Sequence, residues 1–131
     1  MSMNIGQAAA QSGVSAKMIR YYESIGLLRP ATRTQSGYRQ YADTDVQTLR
    51  FIRRSRDLGF SLERIATLLQ LWGDTSRKSQ DVKQLAKQYI AELDEDIRKL
   101  QSLRAQVKQL AQACHGDNRP ECPILEKLSG E

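Results

Sequence analysis

The sequence predicts a mainly α fold: a small helical head with a two-stranded wing over residues 1–73, one long helix over residues 79–113, and a cysteine-bearing loop with a short helix over residues 114–131. Three observations predict it. Amphipathic stretches closed by Gly13, Gly26, Gly59 and Gly73 fill the first part. A run free of Gly and Pro, with an apolar repeat of seven residues, fills the second, and both cysteines of the chain fall in the third. At 131 residues, 40% of them hydrophobic and 27% charged, the chain suits one ordinary domain with an appended element and is too small for a multidomain catalyst. Its longest apolar stretches fall far short of the ~20 residues that span a bilayer, and the N-terminus has no basic head followed by an apolar run. A soluble, cytoplasmic protein is expected.

Asn4 is placed to cap a first helix that runs through Ser12 and ends at Gly13. Ser15 caps a second over residues 16–25, with Met18, Ile19 and Ile25 facing inward and Gly26 ending it. Two short helices joined by a tight Gly-containing turn form a helix-turn-helix pattern. Lys17 and Arg20 then project together from the second helix, where a recognition helix meets base edges and phosphates. Pro30 stops helix propagation, and Arg33 to Tyr41 reads as a hairpin turning at Ser36-Gly37. Strands this short need a surface beneath them. Tyr38 and Arg39 sit at the tip of this wing, while Tyr41 is expected in the core.

Asp43 is read as the cap of a third helix through Leu58, and Ser61 as the cap of a fourth through Trp72. Val46, Leu49 and Ile52 line one face of the third; Leu62, Ile65, Leu68, Leu69 and Trp72 line the fourth. Arg50, Arg53, Arg54 and Arg56 surround the third helix, and the Gly59-Phe60-Ser61 turn opens a helix N-terminus that favours a phosphate. Charge follows the same division. Residues 1–73 carry ten basic and five acidic side chains, whereas residues 74–131 carry ten of each. A basic part joined to a neutral part fits a head that meets nucleic acid and a remainder that meets protein.

From Ser79 to about Ala113 the predicted helix is ~50 Å long. Ala86, Leu93, Leu100 and Val107 recur every seven residues, flanked by Tyr89, Ile90, Ile97, Leu103 and Leu110. A stripe that outreaches the head requires an equivalent helix from a second copy. A homodimer is expected, and its two-fold symmetry predicts a palindromic DNA target.

Cys114 and Cys122 enclose a loop whose seven intervening residues match no Cys-x-x-Cys redox motif, and four thiolates for zinc are absent. A two-thiolate site, a disulfide and two idle thiols remain open. Pro123 starts a short helix with Cys122 at its N-terminus, which favours the thiolate. Two soft thiolates suit a monovalent soft cation such as Cu(I), whereas zinc needs further ligands. His115, Asp117 and Glu121 offer such ligands but read as solvated loop residues. No nucleophile and base constellation surrounds His115, so an enzyme is not expected.

The motifs Asn4-Ile-Gly-x-x-Ala9, Met18-Ile-Arg-Tyr-Tyr-Glu-x-x-Gly-Leu27, Ser36-Gly-Tyr-Arg-x-Tyr41 and Phe51-Ile-x-x-x-Arg-x-x-Gly-Phe60-Ser-Leu62 resemble those of the MerR family of bacterial transcription regulators. The resemblance continues through the long helix to Cys-x7-Cys-Pro-Ile124, where it is similar to the copper-responsive branch. It implies a winged helix-turn-helix DNA-binding head, a long antiparallel coiled-coil dimerisation helix and a C-terminal metal-binding loop. It also implies a Cu(I) effector held by Cys114 and Cys122, with Ag(I) and Au(I) as surrogates. Ser79 stands where divalent-sensing relatives carry a third cysteine, and so would shape the metal pocket from the partner subunit. Lys17, Arg20, Tyr22, Tyr38 and Arg39 match DNA-contact positions of the family, with Arg33, Arg53 and Arg56 as weaker matches. The implied function is activation of copper-resistance genes, by remodelling promoter DNA so that RNA polymerase engages it. A thiol-disulfide switch on the same scaffold and a copper carrier are the alternatives.

Overall fold

In the computed structural model, which describes residues 2–130, Asn4 opens helix α1 (Ile5–Ser12) with a reciprocal capping box. Its Oδ1 accepts from the Gln7 amide at 2.8 Å, and the Gln7 Oε1 accepts from the Asn4 amide at the same distance. Gly13, at φ +74°, ends the helix in the left-handed region. That φ strains any side chain placed there, and a Cβ would also have to displace the Arg53 guanidinium that lies over the turn. Helix α2 (Ala16–Ser24) follows, its first turn capped by Ser15 Oγ accepting from the Met18 amide.

Two residues differ from the expected inward set of α2. Ile25 is 44% exposed, and Tyr22, expected at the DNA surface, is buried at 5%. The helix ends at Ser24 with Ile25 as its C-cap, so Ile25 leaves the helical phase in which it would have faced the core. Tyr22 and Ile19 are the buried members that α2 contributes to the core.

Strands β1 (Thr32–Arg33) and β2 (Arg39–Gln40) pair antiparallel, with Thr32 opposite Gln40 and Arg33 opposite Arg39. Their turn closes through the Gly37 amide on the Thr34 carbonyl and is braced by Arg33, whose Nη1 donates to the Gly37 carbonyl at 2.8 Å. The root of the wing is held by Tyr41, buried as expected, whose backbone pairs with Met3 in both directions.

Helix α3 (Asp43–Asp57) begins one residue earlier than a cap at Asp43 requires: Ala42 is the N-cap and Asp43 the first helical residue. The side-chain work falls instead to Asp45. Its buried carboxylate accepts the Ala42 amide at 2.8 Å and a two-pronged bond from Arg29 at 2.8 and 3.2 Å. Helix α4 (Leu62–Gly73) is capped by Ser61 as expected, but runs on to include Gly73. Its C-terminal carbonyls are gathered by Arg77, whose Nη1 donates to Leu71, Trp72 and Asp74.

Ala8, Ile19, Leu28, Tyr41, Val46, Leu49, Ile52 and Ile65 form one buried cluster where α1 to α4 and the root of the wing converge. Each large aliphatic member contributes about 1.5–3 kcal/mol by leaving water. Of the α4 stripe, Ile65 is fully buried; Leu62, Leu68 and Leu69 are half-buried, and Trp72 is 45% exposed. The Trp72 ring nevertheless stacks on Phe51 of α3 at a centroid distance of 4.7 Å.

Helix α5 (Ser79–Ala113) is a single 35-residue helix, and the short α6 (Pro123–Leu128) closes the described chain. Two compact units divide within α5, one ending at Val82 and the other beginning at Lys83. In the second unit Ile90, Ile97, Leu100, Leu103 and Val107 are all exposed, Leu100 at 64%. Among the described residues no helix is long and apolar enough to cross a membrane.

Because the carboxylate of Asp45 is buried, with a backbone amide and a guanidinium bonded to it, Asp45→Ala is expected to destabilise the head by about 1–3 kcal/mol. Urea unfolding followed by circular dichroism measures this. Arg29→Ala, at an exposed partner, is expected to lose less.

Candidate functional site

Lys17 and Arg20 lie one turn apart on α2 and both are exposed, so their charged ends share one face of the helix. Tyr21, a residue that periodicity did not single out, is exposed beside them at 44%. On the wing, Tyr38 is 73% exposed, while Arg39 is half-buried and its Nε lies 3.3 Å from the Glu23 carboxylate on α2. Recognition helix and wing therefore present adjacent donors and rings from one head. The Tyr22 ring is part of the core, so only its hydroxyl end is left for this surface.

The arginines of α3 divide by partner. Arg50 donates through Nε and Nη2 to the Gln11 carbonyl, at 3.1 and 2.9 Å, and so ties α3 to the end of α1. Arg53 lies over Gly13 in the helix-helix turn, and Arg56 is exposed. Arg50, Arg53 and Arg54 line a shallow cleft of about 340 Å³ beside Gln11, Gly13 and Asp57. Arg33 is engaged within the wing turn.

The tail brings its two sulfurs together. Cys114 follows the last turn of α5 and Cys122 is the N-cap residue of α6; Gly116, at φ +65°, lets the loop reverse between them. The sulfurs lie 3.8 Å apart, unbonded and half-buried. Cys122 is held below the usual thiol range, first by the Leu125 amide and then by the Ile124 amide at the start of α6, with a smaller contribution from Cys114; partial burial opposes them. Asp117 is turned away into a bond with Arg119, whose Nε lies at 2.9 Å and whose amide lies at 3.0 Å, and these bonds hold its carboxyl low. His115 and Glu121 are exposed. Among the described residues no group of three or more His, Cys, Asp or Glu side chains converges as metal ligands. Ser79 is the exposed first residue of α5.

Such a head, with two helices joined by a glycine turn and a wing beside the second, defines a winged helix-turn-helix DNA-binding protein. A family model described as "MerR HTH family regulatory protein" matches residues 3–72, and one described as "MerR, DNA binding" matches residues 46–110. The chain belongs to the MerR family of transcription regulators, and these are not enzymes. It is 59% identical over 127 residues to heavy metal-dependent transcription regulator 2 of Rhizobium meliloti, covering 97% of this chain and 86% of that relative. It is 42% identical over 128 residues to the regulator CueR of Escherichia coli O6:H1, covering 98% and 95% of the two chains. In fold it is similar to the regulator PbrR691 of Ralstonia metallidurans, solved in complex with lead(II), with a TM-score of 0.86 at 30% identity over 96% of this chain and 98% of that one.

A lowered thiol pKa keeps Cys122 ionised at a lower pH than an ordinary cysteine of about 8.5. In Cys114→Ser, alkylation of Cys122 by iodoacetamide is expected to reach half its maximal rate at a lower pH than in the same variant unfolded in urea. A pH-rate series read by mass spectrometry measures the midpoint.

Proposed function

We propose that this regulator senses a monovalent soft metal ion, Cu(I), with Ag(I) and Au(I) as surrogates, through Cys114 and Cys122. The observation that carries the reading is the approach of two half-buried sulfurs to 3.8 Å at the start of α6. Donor chemistry supports it in two ways. Thiolates favour soft ions, and the lowered Cys122 pKa reduces competition from protons. Two thiolates with one monovalent cation leave a single net negative charge in a loop of limited solvation, which a low-dielectric setting tolerates better than a larger imbalance. Asp117 is engaged by Arg119, which competes with a role for it as a further ligand. The names of the relatives, heavy-metal-dependent regulators and CueR among them, support metal response as the general class.

Cys114 and Cys122 would hold the metal as an effector, and when bound it would cross-link the end of α5 to the start of α6. The apolar stripe of α5 is buried against the same helix of a second copy, which sets two heads on one duplex and makes the operator palindromic. Ser79 of one copy shapes the pocket of the other. Lys17 and Arg20 meet base edges and phosphates, and Tyr38 and Arg39 meet the backbone from the wing; Arg33, Arg53 and Arg56 act at its margins. Closure of the sulfur pair favours one of two dimer conformations, and the favoured one holds the promoter in a shape that RNA polymerase engages. Genes for copper resistance are the targets this chemistry serves.

Transcription in vitro from the protein's own promoter, across Cu(I), Ag(I), Zn(II) and Hg(II) under strictly anaerobic conditions, tests the reading. Activation by Cu(I) and Ag(I) alone is expected. Cys114→Ser and Cys122→Ser are each expected to abolish the response while keeping DNA affinity, and Arg20→Ala is expected to do the reverse. A Cys122→Ser variant that still activates with copper sinks the site assignment, and activation that requires an oxidant in place of metal points to the disulfide switch.

A further inference from the structure

The wing has little of its own to hold it. Its strands are two residues each, too short to be stable alone, and its root is tied by backbone bonds to Met3. One side chain joins it to the recognition helix. Glu23, in the last turn of α2, has 11% of its side chain exposed. Its Oε1 accepts from the hydroxyl of the buried Tyr41 at 2.5 Å, and its Oε2 faces Nε of Arg39 on β2 at 3.3 Å. Burial, followed by the bond to Glu23, raises the Tyr41 pKa far above the usual phenol value, so this hydroxyl stays a donor throughout the physiological range.

A carboxylate in this place is electrostatically wrong for a surface that merely adheres to phosphates. It stands one turn beyond Arg20 on α2, in a head whose first 73 residues carry twice as many basic as acidic side chains. Attraction to a polyanion would be stronger without it. Its geometry gives it another use. A carboxylate held beside Nε restrains where the guanidinium lies and leaves its Nη groups to address a second oxyanion.

We infer that Glu23 is a positioning residue for DNA recognition: together with Tyr41 it locks the Arg39 guanidinium in the angle between recognition helix and wing, so that both elements address one register of the duplex. The inference rests on the DNA-binding reading of the head. Glu23 itself touches no DNA; it acts through Arg39.

The test uses the full-length protein and the duplex that the wild type enriches from a random-sequence pool, titrated at several salt concentrations. Glu23→Gln keeps an oxygen for the Tyr41 hydroxyl and removes the charge that orients Arg39. Binding is expected to weaken about tenfold, the loss of one charge-assisted bond, and the slope of log affinity against log salt to fall by about 0.9, one phosphate contact. Simple charge removal predicts the opposite, tighter binding. Arg39→Ala is expected to show the same loss, and the double variant to bind no more weakly than Arg39→Ala alone. If Glu23→Gln is unfolded at the assay temperature, Tyr41→Phe takes its place, with a smaller loss of affinity in the same direction expected. Wild-type or tighter binding by Glu23→Gln with an unchanged salt slope, additive effects of the two substitutions, or unchanged binding by Tyr41→Phe overturns the inference alone. A wild-type protein that enriches no duplex overturns the DNA-binding reading first, and this inference with it.

Discussion

The seating of α2 and α3 against α1 decides what the head presents, and a cluster of inaccessible aliphatic side chains sets that seating. Ile19 comes from α2, Leu49 and Ile52 from α3, Ile65 from α4, and Ala8 from α1; none has measurable exposure. A close-packed cluster of this kind has few alternative arrangements, because a void or an overlap of one methyl group already costs about 1 kcal/mol or more. Once it is set, the outer face of α2 has only one direction in which to point. Lys17, Arg20 and Tyr21 owe their common exposure to Ile19 and Tyr22 being spent on the core.

Polar contacts then finish what packing begins. Arg29, Asp45 and Ala42 form the start of α3; Arg50 reaches across to the end of α1; Glu23, Tyr41 and Arg39 join the recognition helix to the wing. These carboxylates share a logic: each is shielded, each accepts from a buried or backbone donor, and each then meets an arginine that keeps some solvent contact. A shielded carboxylate without such partners would be strongly destabilising. With them it becomes an orienting device, which is why a basic DNA-binding head retains acidic residues at its joints.

Local signals were legible wherever backbone chemistry is local. Asn4, Ser15 and Ser61 cap helices as their side chains suggest, and Gly13 ends α1 because its φ suits glycine. The span of α5 from Ser79 to Ala113 matches a run with no helix breaker. Asp43 misled because an aspartate at the first helical position resembles a cap; the deciding partner, Arg29, lies 16 residues from Asp45. Ile25 misled because periodicity was carried one residue past the end of the helix. That both thiols bound one short loop was visible in the spacing, whereas their approach to 3.8 Å and the bond between Asp117 and Arg119 were not.

By itself, then, the sequence determined the family, the order and ends of most helices, the placing of both thiols in one loop, and the basic character of the head, because capping, periodicity and composition act over a few residues. Tertiary structure alone decided that Tyr22 is buried and Ile25 is not, that Asp45 is clamped by Arg29, and that Glu23 stands between Tyr41 and Arg39. The reason is distance along the chain. Contacts separated by 16 to 18 residues depend on how whole helices pack, and packing is settled by the joint shape of many side chains, which no single spacing encodes.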